Sequence, residues 1–127
     1  MAIDWRRVAR DALIVWATTL LGGLVVGFSF GVQGATQSSK MVVALAFTSV
    51  VFHIVAFAIV GLLTKVDRLR HLSVVVVAVW LLNVFNILLF GLTVIQWALS
   101  LAFIAIFALV GCSIGFLISH LSRKRAE

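Results

Sequence analysis

Few side chains in this sequence can do chemistry inside the long apolar stretches that dominate it, and three of them fall at one level. His53 stands between Phe52 and Ile54, Asn83 follows Trp80-Leu81-Leu82, and Asn86 comes three residues later. Ser49 precedes His53 by four residues, so both share a helical face, as Asn83 and Asn86 do at a spacing of three. An imidazole changes charge near neutral pH, and a carboxamide both donates and accepts hydrogen bonds. Together these groups can line a path for a small solute or ion, or they can bond helices to one another. The chemistry stops there. Cys112 has no second cysteine to pair with and reads as a small packing residue. The Gly22 to Gly31 stretch lacks the Gly-Lys-Ser/Thr ending of a phosphate loop. His71 and His120 share a depth at one end, but His53 lies roughly 15 Å deeper, so no histidine pair brackets a haem or metal at mid-depth. No catalytic residue, metal ligand or cofactor is expected, and the chain is read as a non-enzyme.

Asp11 is the carboxylate nearest a span, one residue from Arg10 and four from Arg7. Its position within the first turn, away from mid-depth, favours pairing with Arg7, Arg10, Lys65 or Arg68 over proton or ion coupling. No Asp or Glu lies deeper.

The elements that position these residues follow from composition. The chain has 127 residues, 64% hydrophobic and 11% charged, with no Pro or Tyr, and a mean hydropathy of +1.26. Soluble domains run nearer 45–50% apolar with about a quarter charged. Too little polar surface remains to cover a water-soluble globule, and a disulfide scaffold, a disordered segment and a nucleic-acid-binding domain are excluded with it. Uncharged stretches at 12–32 and 41–63 are each long enough for one crossing of about 30 Å of hydrocarbon. A third run from Leu72 to about Leu121 suits two crossings with a reversal in Leu92 to Trp97, where Gln96 and Trp97 sit at headgroup level. The valines at 74–77 would suggest a strand in water, but an isolated strand in hydrocarbon leaves its amides unsatisfied, so helix wins. The expectation is an all-α, four-helix transmembrane bundle, a single integral membrane domain over 1–127, with helices at about 12–32, 41–63, 72–92 and 98–119. The first is read as a retained helix, because about 20 apolar residues exceed the roughly 7–15 of a secretory leader's core. Asp4 is placed to cap an outward extension of it.

Lys and Arg alternate by segment. Arg6, Arg7 and Arg10 precede the first span, Lys40 alone follows it, Lys65, Arg68 and Arg70 fall between the second and third, and Arg123, Lys124 and Arg125 end the chain. The turn after the third span has none. Short loops of this kind obey the positive-inside rule, so the topology is up-down-up-down with the N-terminus and C-terminus inside, in a bacterial or archaeal plasma membrane. The same charges explain the net +6. They lie against anionic headgroups, and nothing in the sequence beyond charge points to a dedicated lipid, polyphosphate or nucleic-acid site.

Gly23, Gly27 and Gly31 recur at four-residue spacing in the first helix, and Gly111, Gly115 and Ser119 do so in the fourth. Small residues at this spacing let helix backbones approach closely in lipid. Their depths suggest that the two stripes meet each other inside one subunit; otherwise one seals the subunit and the other joins a homo-oligomer or a partner membrane subunit. The function placed first is a small oligomeric channel or transporter with His53, Asn83, Asn86 and Ser49 along its path. The alternative is a structural or accessory subunit of a membrane complex, with the same polar residues as interhelical bonds.

Overall fold

The computed structural model describes residues 3–32, 39–65, 67–91 and 93–124, apart from the side chains of residues 30–32, 86, 89, 90 and 123. They form five helical segments: α1 (Trp5–Val32), α2 (Ser39–Leu63), α3 (Arg68–Leu82), α4 (Val84–Phe90) and α5 (Val94–Lys124). Three stretches are long and apolar enough to cross a membrane, Trp5–Ser29, Ser39–Leu63 and Val94–Ser122. The molecule is an all-α bundle of membrane-protein character. The connection at 33–38, Leu92 and Arg125 lie outside the described residues.

Local chemistry explains most of the boundaries. Asp4 accepts the Arg7 amide at 3.3 Å and pairs with its guanidinium at 2.9 Å. This caps a helix that starts well before the uncharged stretch, as a carboxylate at the positive end of the helix dipole favours. Asp67 precedes α3 in the left-handed region, φ 48°, a conformation that Asp tolerates better than most residues. Gly91 ends α4 at φ 66°, the usual role of glycine after a helix. The reversal is tighter than the sequence suggests, and α5 begins at Val94 instead of near residue 98. Its start is a reciprocal capping box: the Thr93 amide donates to Gln96 Oε1 at 3.0 Å, and the Gln96 amide to Thr93 Oγ1 at 3.2 Å. Gln96 therefore caps a helix.

The stretch read as one helix over 72–92 is interrupted at Asn83. The Asn83 amide still bonds the Val79 carbonyl at 3.0 Å, but the ladder does not continue across it. In an unbroken helix the Trp80 carbonyl would receive the residue 84 amide. Here it receives Nε1 of Trp97 at 3.0 Å, while Nε1 of Trp80 donates to the Trp97 carbonyl at 3.0 Å. The indoles stack with centroids 4.1 Å apart. A side chain entering the i to i−4 ladder is a recognised cause of a kink. The valine run at 74–77 is helical.

The substantial packing runs α1 to α2, α2 to α5, α5 to α3 and α3 to α1, a closed ring of four. The interior is filled by Val8, Ala12 and Val15 of α1, Ala56, Phe57 and Val60 of α2, Val75, Val76 and Val79 of α3, and Ile104 and Ala108 of α5. Apart from Val26 and Ile104, the buried apolar residues lie at mid-length or toward the end that holds the start of α1 and the end of α2. The opposite end exposes Leu24, Phe28, Val42 and Phe47.

Candidate functional site

The polar residues singled out at mid-depth lie in different settings. His53 faces the interior, 8% exposed. Its Nδ1–H donates to the Ser49 carbonyl one turn back at 2.8 Å, with the Ser49 hydroxyl 3.4 Å away. That bond fixes the proton on Nδ1 and leaves Nε2 as the basic nitrogen. The ring lies 5.6 Å, centroid to centroid, from Phe107 of α5. Asn83 stands at the junction of α3 and α4, where it also has a bonding partner. Asn86 lies in α4, and its side chain is outside what the structure describes. The packing ring sets α2 and α3 each against α1 and α5, so His53 and Asn83 belong to different walls of the bundle. Most serine and threonine hydroxyls that face their own helix donate to a carbonyl one turn back, as Thr19, Ser29, Thr64, Ser73, Ser113 and Ser122 do.

The glycines divide by contact. A Cβ on Gly111 would stand 2.6 Å from the Ile54 carbonyl oxygen and 2.7 Å from Phe57 Cβ. A Cβ on Gly115 would run into the Ala58 carbonyl, and one on Gly61 would lie 2.8 Å from Cys112 Cα. These contacts pair ascending residues of α2 with ascending residues of α5, so the two helices run in the same direction with their backbones nearly touching. The Cys112 thiol adds a bond to the Phe57 carbonyl at 3.2 Å. On α1 the position that meets a neighbour is Gly22, whose added Cβ would lie 2.9 Å from the Phe52 ring. Gly23 and Gly27 have nothing within 4 Å of an added Cβ, and the surroundings of Gly31 are not described. At the described positions the two stripes therefore do not meet each other: Gly111 and Gly115 close on α2, and Gly23 and Gly27 are left open.

Charged chemistry gathers at the end where the core is tightest. Asp11 is 1% exposed and both its oxygens are bonded. Oδ1 takes Nε and Nη2 of Arg10 at 2.7 Å each, and Oδ2 takes Nε2–H of His71 at 2.8 Å. Sequence reasoning places Asp11 beside basic residues and finds Arg10, but it misses His71. The signal was present, since both residues open apolar stretches at the same depth. The Asp11–His71 bond joins the starts of α1 and α3.

Beside it, between α2, α3 and α5, lies a cavity of about 230 Å³ lined by Val60, Leu72, Leu109, Cys112 and Phe116 among others. Arg68 closes its polar side. The guanidinium stands 4.6 Å from the centre of the Phe116 ring, and its Nε donates to the Thr64 carbonyl at 2.9 Å. His120 stacks on Phe116 of its own helix at 6.3 Å and does not join His71 in a common site. Among the described residues no three His, Cys, Asp or Glu side chains group as metal ligands, and every fully buried side-chain nitrogen or oxygen has a partner. No protein-family model, curated protein or solved structure matches this chain.

Proposed function

We propose that the chain crosses the membrane four times and serves as a structural or accessory membrane subunit, joining a second copy or a partner subunit through the open face of α1. In this reading α3 and α4 together make the third crossing, since Arg68 to Phe90 rises roughly 34 Å at 1.5 Å per residue, enough for the hydrocarbon. The contacts support alternating directions. Asp11 meets His71, and Arg68 meets Phe116, so the starts of α1 and α3 share an end with the close of α5. That end carries Arg6, Arg7, Arg10, Lys65, Arg68, Arg70 and Lys124, and by the positive-inside rule it faces the cytoplasm.

One observation carries the accessory role: apart from Asp11 and His53, the side chains buried between the helices are apolar and tightly packed. Val15, Ala56, Phe57, Val60, Val75, Val79 and Ala108 have essentially no exposure. His53 spends its N–H on the Ser49 carbonyl of its own helix, so that donor is not offered to a solute. A conduit along His53, Asn83 and Asn86 would have to run between chains. Vesicles reconstituted with the purified chain and loaded with pH- and potassium-sensitive dyes test the choice. The expected permeability equals that of protein-free vesicles, with or without His53→Leu. A flux that His53→Leu abolishes, in a variant that keeps its fold, reinstates the transport reading.

A further inference from the structure

The cavity at the basic end differs in kind from the rest of the apolar surface, because a charged group is built into its wall. It holds about 230 Å³, less than the roughly 300–1,000 Å³ of a typical small-molecule pocket. Its lining of Val60, Leu72, Leu109 and Phe116 suits a length of alkyl chain. At Arg68 and Leu69 it adjoins an open hollow whose other walls are Lys65, Asp67 and Arg70. Apolar cavity and basic hollow therefore share two residues, and Arg68 is the charged one.

Arg68 is held in place there. Its Nε is engaged by Thr64 and its plane lies over Phe116, which leaves four N–H donors on the terminal nitrogens. Among the described residues no carboxylate pairs with it. The start of α3 lies at the same place without a side-chain cap, and its dipole also favours an anion. Among the described residues Asp67 is the one acidic group lining the hollow, and exposed Lys65 stands two residues before it. A planar, pre-set guanidinium suits a phosphate, which it can grip through two parallel hydrogen bonds.

We propose that this crevice binds one anionic phospholipid of the adjoining leaflet, its phosphate at Arg68 and an acyl chain in the cavity between α2, α3 and α5. A free phosphate would leave the apolar half unfilled, and a neutral or zwitterionic lipid would not match the net charge of the hollow. The site depends only on the membrane setting of these helices and is independent of the accessory role above.

The test is native mass spectrometry of the detergent-solubilised chain after incubation with equal amounts of phosphatidylglycerol and phosphatidylcholine. One retained phosphatidylglycerol per chain is expected, in preference to phosphatidylcholine. Arg68→Gln should lower that preference about tenfold, the scale of one hydrogen-bonded charge. Arg68→Lys should lower it less, and Lys124→Gln, outside the hollow, should leave it unchanged. Ser113→Trp, which fills the cavity from α5, should remove retention of both lipids while the helical circular-dichroism signal persists. Equal retention of the two lipids by the unaltered chain overturns the proposal, as does an equal loss from Lys124→Gln and Arg68→Gln. Displacement of the lipid by millimolar glycerol phosphate assigns the site to free phosphate and equally overturns it. Should Arg68→Gln fail to fold, Arg68→Lys and Ser113→Trp still decide the matter.

Discussion

Replacing glycine by alanine at Gly115 and at Gly23 is the same chemical change on two long apolar helices, yet the structure assigns the two opposite signs. Alanine is favoured over glycine in a helix interior by about 0.8–1 kcal/mol, and both variants gain this. At Gly23 nothing lies within 4 Å of the new methyl, so the gain stands. At Gly115 the methyl runs into the Ala58 carbonyl, and at Gly111 it meets the Ile54 oxygen at 2.6 Å, well inside the 3.4 Å of ordinary contact. Backbone cannot rotate aside as a side-chain end can. The α5 helix must therefore withdraw by about 0.8 Å along the seam, and a gap of that size forfeits a quarter to a half of each dispersion contact. Overpacking of this kind costs about 1–3 kcal/mol, and in lipid no hydrophobic drive between helices compensates for it. The net expectation is a loss of about 1–2 kcal/mol for Gly111→Ala, a larger loss for Gly115→Ala, and a gain of up to about 1 kcal/mol for Gly23→Ala. Reversible unfolding in mixed micelles, followed by helical circular dichroism as the denaturing detergent fraction rises, reads these differences directly. Midpoints that move together for Gly23→Ala and Gly115→Ala would refute the close parallel seam between α2 and α5.

Trp97→Phe removes one of the two reciprocal indole bonds and should cost about 1–2 kcal/mol in the same assay; no change would mean the Trp80–Trp97 stack does not hold α3 to α5. Asp11→Ala leaves His71, 12% exposed, without its partner, for a loss of about 2–3 kcal/mol, whereas Arg10→Gln, at a side chain 52% exposed, should cost under about 1 kcal/mol. Equal effects from Asp11→Ala and Arg10→Gln would place the bond's worth on the wrong partner. In a Cys112→Ala background, an impermeant thiol reagent applied to intact cells should label Lys40→Cys and spare Lys65→Cys. The reverse pattern overturns the cytoplasmic assignment of the basic end.

How much of this could be read from residues alone depended on what each reading rested upon. Length and hydropathy identify the long helices, because hydrocarbon demands internally bonded backbone wherever the chain lies within it. Asp4 signals the outward extension of α1 by its own chemistry. Faces are another matter. In water the buried side of a helix is apolar and the exposed side polar, but here Phe28 at 74% exposed and Phe57 at 0% are the same residue type. Lipid and core make the same demand on composition, so nothing in α1 distinguishes Gly22, which meets Phe52, from Gly23 one residue on. The interruption at Asn83 is illegible for a related reason: beside it the Trp80 carbonyl accepts from an indole seventeen residues further along the chain, on another helix. Two features were open to a closer reading. Thr93 and Gln96 have the spacing of a capping box, and a matched depth links Asp11 to His71. Sequence reasoning sought cationic partners for the aspartate and passed over a histidine.

The distribution of packing bears on why the polar residues sit where they do. At the basic end the bundle is held by the glycine seam, by the Asp11–His71 bond and by a core of valines and Phe57. Toward the other end the reciprocal tryptophans fasten α5 to α3, while α1 and the start of α2 turn Leu24, Phe28, Val42 and Phe47 outward. His53 lies between these regions, bonded to Ser49 and with its ring tilted against that of Phe107. A polar group buried there resists sliding of α2 along its neighbours, since any shift in depth would carry its ring away from the aromatic surface it now covers. Its Nδ1–H is satisfied within its own helix. On the accessory reading proposed above, the same residue that first suggests a path fixes helix register, and a partner would dock on the outer face of α1, where Gly23 and Gly27 leave room for another helix backbone.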